Sequence, residues 1–242
     1  MPTPAHHTIV VVDVESSSQL TNAEKPVVRE ELYRLLTDSV RAVGVGWPDL
    51  VEDRGDGAYL LFPAQVQKHA LLRAFVEELH QRLAQRSVSD LPIRLRVAIH
   101  SGEVTPDSYG SSSIDADAAF GMLDSRLARD ALKASRRAQL VIIVADGFYE
   151  SVVLGQTAVE AAGFRAYCIE TKKGPGRVWL HLPGVSQQPA LQDAVDVGAA
   201  AESVAQTQAA TMAPVQVAGD WNGSQVNGST ISRQKMEHRG RG

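Results

Sequence analysis

Apolar residues run unbroken from Ile9 to Val12 and resume at Val14, a β-branched block that predicts a strand buried on both faces. Over 24–43 the spacing changes. Val27, Val28, Leu32, Leu35, Leu36, Val40 and Val43 recur at intervals suited to one helix face, and Gly44-Val-Gly-Trp-Pro48 stops the pattern. Two segments, 49–54 with Leu50-Val51 and the apolar run 58–62, flank Gly55-Asp56-Gly57 and predict an antiparallel hairpin closed by Pro63. A second amphipathic helix is expected over 66–83, then a strand over 93–100 with apolar odd positions, and a turn at Ser101-Gly102-Glu103. After a loose Gly/Ser segment, the pattern predicts a helix over 116–134, a buried strand over 140–144 and a short helix over 146–153. Residues 164–173 and 177–182, joined by Gly174-Pro175-Gly176, predict a closing hairpin. This order implies an α/β (α+β) fold, a ferredoxin-like βαββαβ core with an added αβ unit and the closing hairpin.

Beyond Gly184 the pattern lapses. Residues 187–212 are rich in Gln, Ala and Val and poor in aromatics, the composition of a linker or weak helix. The expected division is a folded domain over 1–184, a flexible linker over 185–213 and a tail over 214–242. The tail holds a short echo, Gln216-Val-Ala-Gly-Asp220 and Gln225-Val-Asn-Gly-Ser229, whose alternating β-branched residues, glycines and amides suit cross-β assembly. A solvated Gly/Asn/Ser tail fits the same composition, since two copies do not establish a repeat.

Composition narrows the function. With 242 residues and 44% hydrophobic content the chain can bury one sizeable core. A formal net charge of −4 gives no basic footprint for nucleic acid. Cys168 is the only cysteine, which excludes an internal disulfide and Cys-rich zinc sites and fits a reducing cytoplasm. The segment before Asp13 is too short to span a membrane and lacks a basic n-region. No Gly-x-Ser-x-Gly elbow surrounds Ser16–Ser18, so serine hydrolysis is not indicated, and His100 at a strand end reads as structural.

The chemistry is carried by two aspartates. Asp13 closes the first strand and Asp56 sits in the Gly-Asp-Gly turn, so one sheet end can bring both carboxylates together, an arrangement suited to a divalent metal carrying a phosphate. Taken singly, each has a plain alternative: Asp13 as a turn cap, Asp56 as a filler of a tight turn. Ser16, Ser17 and Ser18 follow strand one directly, and backbone amides at such a turn suit anions.

Four stretches in order, Val10-Val-Val-Asp-Val-Glu15, Glu52-Asp-Arg-Gly-Asp-Gly-Ala58, Leu95-Arg-Val-Ala-Ile-His-Ser-Gly-Glu103 and Glu170-Thr-Lys-Lys-Gly174, resemble the catalytic domain of class III nucleotidyl (adenylate/guanylate) cyclases, over roughly 6–183. The resemblance implies that Asp13 and Asp56 hold two divalent ions, Mg²⁺ or Mn²⁺, and that an NTP is cyclised through its ribose 3′-hydroxyl. It implies phosphate contacts at Ser16, Ser17, Ser18 and Gly55, and a triphosphate contact from Lys173 better than from Lys172. It makes Glu52 the base reader, tilted from adenine towards guanine because carboxylate oxygens accept from N1–H and N2–H₂; the second base-reading position falls in the 109–113 segment, and pyrimidine cyclases also exist. It further implies a head-to-tail homodimer sharing its sites. By analogy with such relatives it suggests bacterial signalling or antiviral defence, with an effector protein recruited through the C-terminal tail.

One part of the pattern departs. The family presents an Asn and an Arg four residues apart on one helix. The best register here puts Asp117 and Gly121 at those positions; an alternative register offers Arg126 but places Met122 at the Asn position. Losing one charge-stabilising donor commonly costs about 10²–10³ in rate, so Gly121 implies a weak cyclase unless Arg126 or Arg129 substitutes. The competing expectation is a catalytically impaired nucleotide-binding sensor or adaptor.

Overall fold

The computed structural model describes residues 3–46, 50–87, 90–108, 110–154, 163–172, 174–186, 189 and 191. Lys173, Tyr109, the linker beyond 191 and the tail echo lie outside these, so the readings that fall on them gain no structural account. All described residues belong to one compact unit, Met1–Val204.

Strand β1 (Ala5–Val14) is central, and Ile9 to Val12 are all buried, as an uninterrupted apolar run requires. Helix α1 (Glu24–Ala42) follows, then β2 (Leu50–Asp53) and β3 (Gly57–Pro63). Helix α2 comprises three consecutive stretches, Lys68–Ala70, a π-helical turn Leu71–Phe75 and Val76–Ala84, and leads to β4 (Leu95–Asp107). These strands lie in the order β2-β3-β1-β4, which is the expected ferredoxin-like arrangement. Strand β6 (Leu140–Ala145) pairs with β4 in parallel, and β8 (Gly174–His181) and β7 (Arg165–Thr171) extend the sheet antiparallel. The added αβ unit and closing hairpin are thus in place.

Several local expectations change. On α1, Val28, Leu32, Leu35, Leu36 and Val40 are buried, whereas Val27 is 56% exposed. Ser101-Gly102-Glu103 does not turn the chain: β4 continues through it, pairing Gly102 with His7, and a short strand β5 (Gly110–Ser112) folds back on its end. The long edge pairing with β1 outweighs the local turn signal of Ser-Gly. The helix expected over 116–134 is two helices, α3 (Ile114–Leu123) and α4 (Arg126–Ala134). The Ser113 hydroxyl caps the first and the Ser125 hydroxyl starts the second by accepting from the Ala128 amide at 3.2 Å. Helix α5 (Asp146–Tyr149) runs into a π turn, Glu150–Leu154. In the last hairpin Thr171 pairs with Gly174, so Gly174-Pro175-Gly176 belong to β8 rather than to the connection.

Candidate functional site

The register of β1 against its two neighbours assembles the site. Asp13 lies between Gly57 of β3 and Arg96 of β4, and the Val14 amide donates to the Asp56 carbonyl at 3.0 Å. The β2–β3 turn is tight: the Arg54 amide donates to the Gly57 carbonyl at 3.0 Å, and Gly55 has φ +84°, a conformation suited to glycine. Gly57 is required for a different reason, since a Cβ there would stand 2.3 Å from the Val12 carbonyl oxygen. Asp13, near the end of β1, and Asp56, in the turn that leads into β3, are 43 residues apart in sequence and therefore come to the same end of adjacent strands.

Their environments differ. Asp13 is largely buried and faces Arg96, whose Nε donates to Oδ2 at 3.0 Å and whose Nη2 makes a second contact with the same oxygen. Burial pushes the Asp13 carboxyl pKa upward, the guanidinium opposes this, and the charges of Asp56 and Asp124 add to the rise. Asp13 is thus clamped but not sealed, its side chain keeping 19% of its exposure. Asp56 is exposed and accepts from the Ser17 hydroxyl.

Ser16 has φ +60°, an uncommon choice for a residue with a side chain, and it launches the short 3₁₀ turn Ser17–Gln19 whose first amides have no partner within the turn. Ser17, Ser18, Gly55 and Asp56 line a cleft of about 760 Å³ together with Lys25 and Arg29 of α1. Arg29 is engaged by Asp53.

A second cleft, about 440 Å³, shares Arg54 with the first. Glu52 lies in it, its Oε1 accepting from the Ser111 hydroxyl at 3.4 Å, and the Ser111 hydroxyl also meets the Tyr59 hydroxyl at 3.5 Å. Gly110 permits this approach: a Cβ there would come within 2.8 Å of Glu52 Oε1. Asp117 lines the same cleft, exposed, with Lys172 Nζ 3.4 Å from its Oδ2. Phe120 packs on Tyr59 at 5.5 Å between ring centroids.

The structure thus brings Asp13, Asp56, Ser17, Ser18 and Gly55 to one locality and Glu52 and Asp117 to another. Arg126 is not among the residues lining either cleft, and as the first residue of α4 it lies on a different helix from Met122, so the alternative register loses its shared helix face. Gly121 is exposed with open space around it. The contribution absent from the sequence reading is that of Arg96. Its signal was the polar residue at an even position of a strand whose odd positions are apolar, the position directly opposite Asp13. Arg94, the preceding even position, likewise pairs with Glu15 at 2.9 Å and bonds the carbonyls of Ala138 and Ser135.

No protein-family model matches the chain, and no curated protein matches it by sequence. Solved structures do. An adenylate/guanylate cyclase/hydrolase from Silicibacter pomeroyi superposes with a TM-score of 0.53 at 21% identity, over 76% of this chain and 99% of that one. The guanylyl cyclase Cya2 gives 0.52 at 16% identity, over 78% and 99%. The catalytic core of a rhodopsin-guanylyl cyclase with converted specificity, in complex with ATPalphaS, gives 0.52 at 15% identity, over 74% and 96%. The chain has the fold of class III adenylate/guanylate cyclase catalytic domains.

Proposed function

We propose that the chain is a nucleotidyl cyclase that converts an NTP to a 3′,5′-cyclic nucleotide and pyrophosphate. The observation that carries this reading is the meeting of Asp13 and Asp56 beside the Ser16–Ser18 turn. In the reaction the ribose 3′-oxygen bonds to the α-phosphorus, the bond from that phosphorus to the β-bridging oxygen breaks, pyrophosphate leaves with the electron pair, and the hydroxyl proton passes to water.

The donor set fits divalent cations. Among the described residues no group of three or more His, Cys, Asp or Glu side chains could hold a metal ion. A hard cation at Asp13 and Asp56 would complete its shell with phosphate oxygens and water, which is how Mg²⁺ is commonly held with nucleotides. Burial, and to a smaller extent the Asp56 charge, disfavour the ionised Asp13 carboxylate, and a cation bound beside it would offset both. Bound there, Mg²⁺ or Mn²⁺ would neutralise the triphosphate and ease deprotonation of the 3′-hydroxyl. Arg96 keeps Asp13 oriented through its two contacts with Oδ2.

Glu52 with the Ser111 hydroxyl offers acceptors for N1–H and N2–H₂, which favours guanine over adenine. Ser16, Ser17, Ser18 and Gly55 would contact phosphates, and Lys173 would reach the triphosphate. A head-to-tail homodimer would let the Glu52 cleft of one protomer face the carboxylate pair of its partner. Incubation with each of the four NTPs and Mg²⁺ or Mn²⁺ tests the reading: one cyclic nucleotide and one pyrophosphate per NTP consumed supports it, and no cyclic product from any NTP refutes it.

A second reading, a nucleotide-binding sensor or adaptor without turnover, is favoured by one observation: α3 presents Gly121 and a carboxylate, Asp117, already matched by Lys172. It requires NTP binding without product. Recruitment of an effector through the tail, and a place in bacterial signalling or defence, are further parts of the proposal and rest on the sequence alone.

A further inference from the structure

The described lining of the Glu52 cleft contains two carboxylates, Glu52 and Asp117, and one cation, Arg54. Arg54 stands two residues before Asp56, and it also lines the larger cleft that holds Ser17, Ser18 and Asp56. Its guanidinium carbon lies 4.7 Å from the centre of the Phe120 ring, and its Nη1 is 3.7 Å from Glu52 Oε2. The side chain is thus held between the Phe120 face of α3, within the range at which cation–π pairs form, and the Glu52 carboxylate. Gly121 contributes no atom to that space.

Lys172 already faces Asp117 at 3.4 Å, so the cation placed to meet a phosphate here is Arg54, which lines both clefts. From these contacts we propose that Arg54 is a catalytic residue of the cyclase reading above, on which the inference rests: it donates to the α-phosphate oxygens as charge builds during transfer, from the β2–β3 turn, where α3 offers only Gly121. A guanidinium suits this task because its planar fork meets two phosphate oxygens and stays charged at any working pH. Half-exposure of its side chain leaves it free to turn from Glu52 when a base occupies that carboxylate.

The test uses the full chain, each NTP and Mn²⁺, with wild type, Arg54→Gln, Arg54→Lys and the double variant Arg54→Gln/Gly121→Arg. The open space at Gly121 accommodates the new side chain. Expected are a fall in kcat of about 10²–10³-fold for Arg54→Gln with a much smaller change in KM, a milder fall for Arg54→Lys, and partial recovery of kcat in the double variant. Thermal melts show whether the variants fold, and recovery in the double variant cannot come from a damaged fold. Arg54→Gln turning over as fast as wild type, or a double variant no faster than Arg54→Gln, overturns the role of Arg54 while leaving the cyclase reading intact. A wild-type chain that forms no cyclic product from any NTP overturns that reading, and the role of Arg54 with it.

Discussion

At the scale of single residues, a glycine at the start of β3 and a glycine of α3 differ in what they allow. Gly57 cannot carry a side chain without displacing the Val12 carbonyl, which belongs to the strand that ends in Asp13. Gly57→Ala is therefore expected to lower the melting temperature and abolish turnover, whereas Gly121→Ala, facing open space, should leave the melting temperature at or above the wild-type value. Differential scanning calorimetry of the two variants checks this. Arg96 acts through Asp13. Replacing it leaves a largely buried carboxylate without its cation, so Arg96→Met is expected to cost on the order of 3–5 kcal/mol in denaturant unfolding. Equal stability of Arg96→Met and wild type would mean that the ion pair does not organise the strand ends.

Among the elements, burial and exposure on α1 give a direct contrast. Leu32 is fully buried in the core and Leu32→Ala should cost about 2–5 kcal/mol, while Val27, although it shares the apolar spacing, is 56% exposed and Val27→Ala should change stability by no more than about 0.5 kcal/mol. Urea titration of both variants decides it. The far end of β8 carries a pH dependence. Burial depresses the pKa of His181, whose Nδ1 lies 2.7 Å from the Gly163 carbonyl and whose ring rests on Phe164. The folded chain binds this proton less readily than the unfolded chain, whose ordinary value is 6.5. Stability is then full above pH 6.5 and falls as pH drops below it, through the depressed folded pKa, and His181→Phe should flatten that part of the stability curve. The strands that position the carboxylates were legible because their signals are local: a continuous apolar run for β1 and Gly-Asp-Gly between Leu50-Val51 and the apolar run 58–62 for β2–β3. The length of β4 was not, because Ser101-Gly102 reads as a turn until β1 is laid alongside it. The break between α3 and α4 was masked by apolar residues on both sides of Asp124-Ser125, although Ser125 carried the capping signal.

For the whole molecule, the fold could be anticipated further than the chemistry. Four motifs in order were enough to point to the cyclase architecture, because strand order follows from the alternation of elements. The pairing of Arg96 with Asp13 and the placement of Arg54 over Phe120 depend on register and on side-chain reach, which no single stretch of sequence encodes. The Glu52 cleft and the cleft lined by Asp56 share Arg54 of one hairpin turn, and no helix among the described residues is long and apolar enough to cross a membrane. If two protomers share their sites, specific activity should rise with protein concentration until dimers saturate. A mixture of Asp56→Asn and Glu52→Ala chains should then regain turnover that neither has alone. The central claim, that Asp13 and Asp56 together hold divalent cations on a nucleoside triphosphate, is tested most directly by Mn²⁺ electron paramagnetic resonance with a 3′-deoxy-NTP that cannot cyclise. Nucleotide-dependent Mn²⁺ binding by wild type, lost in both Asp13→Asn and Asp56→Asn, is the predicted result; Mn²⁺ binding unchanged in either variant, or none by wild type, would contradict it.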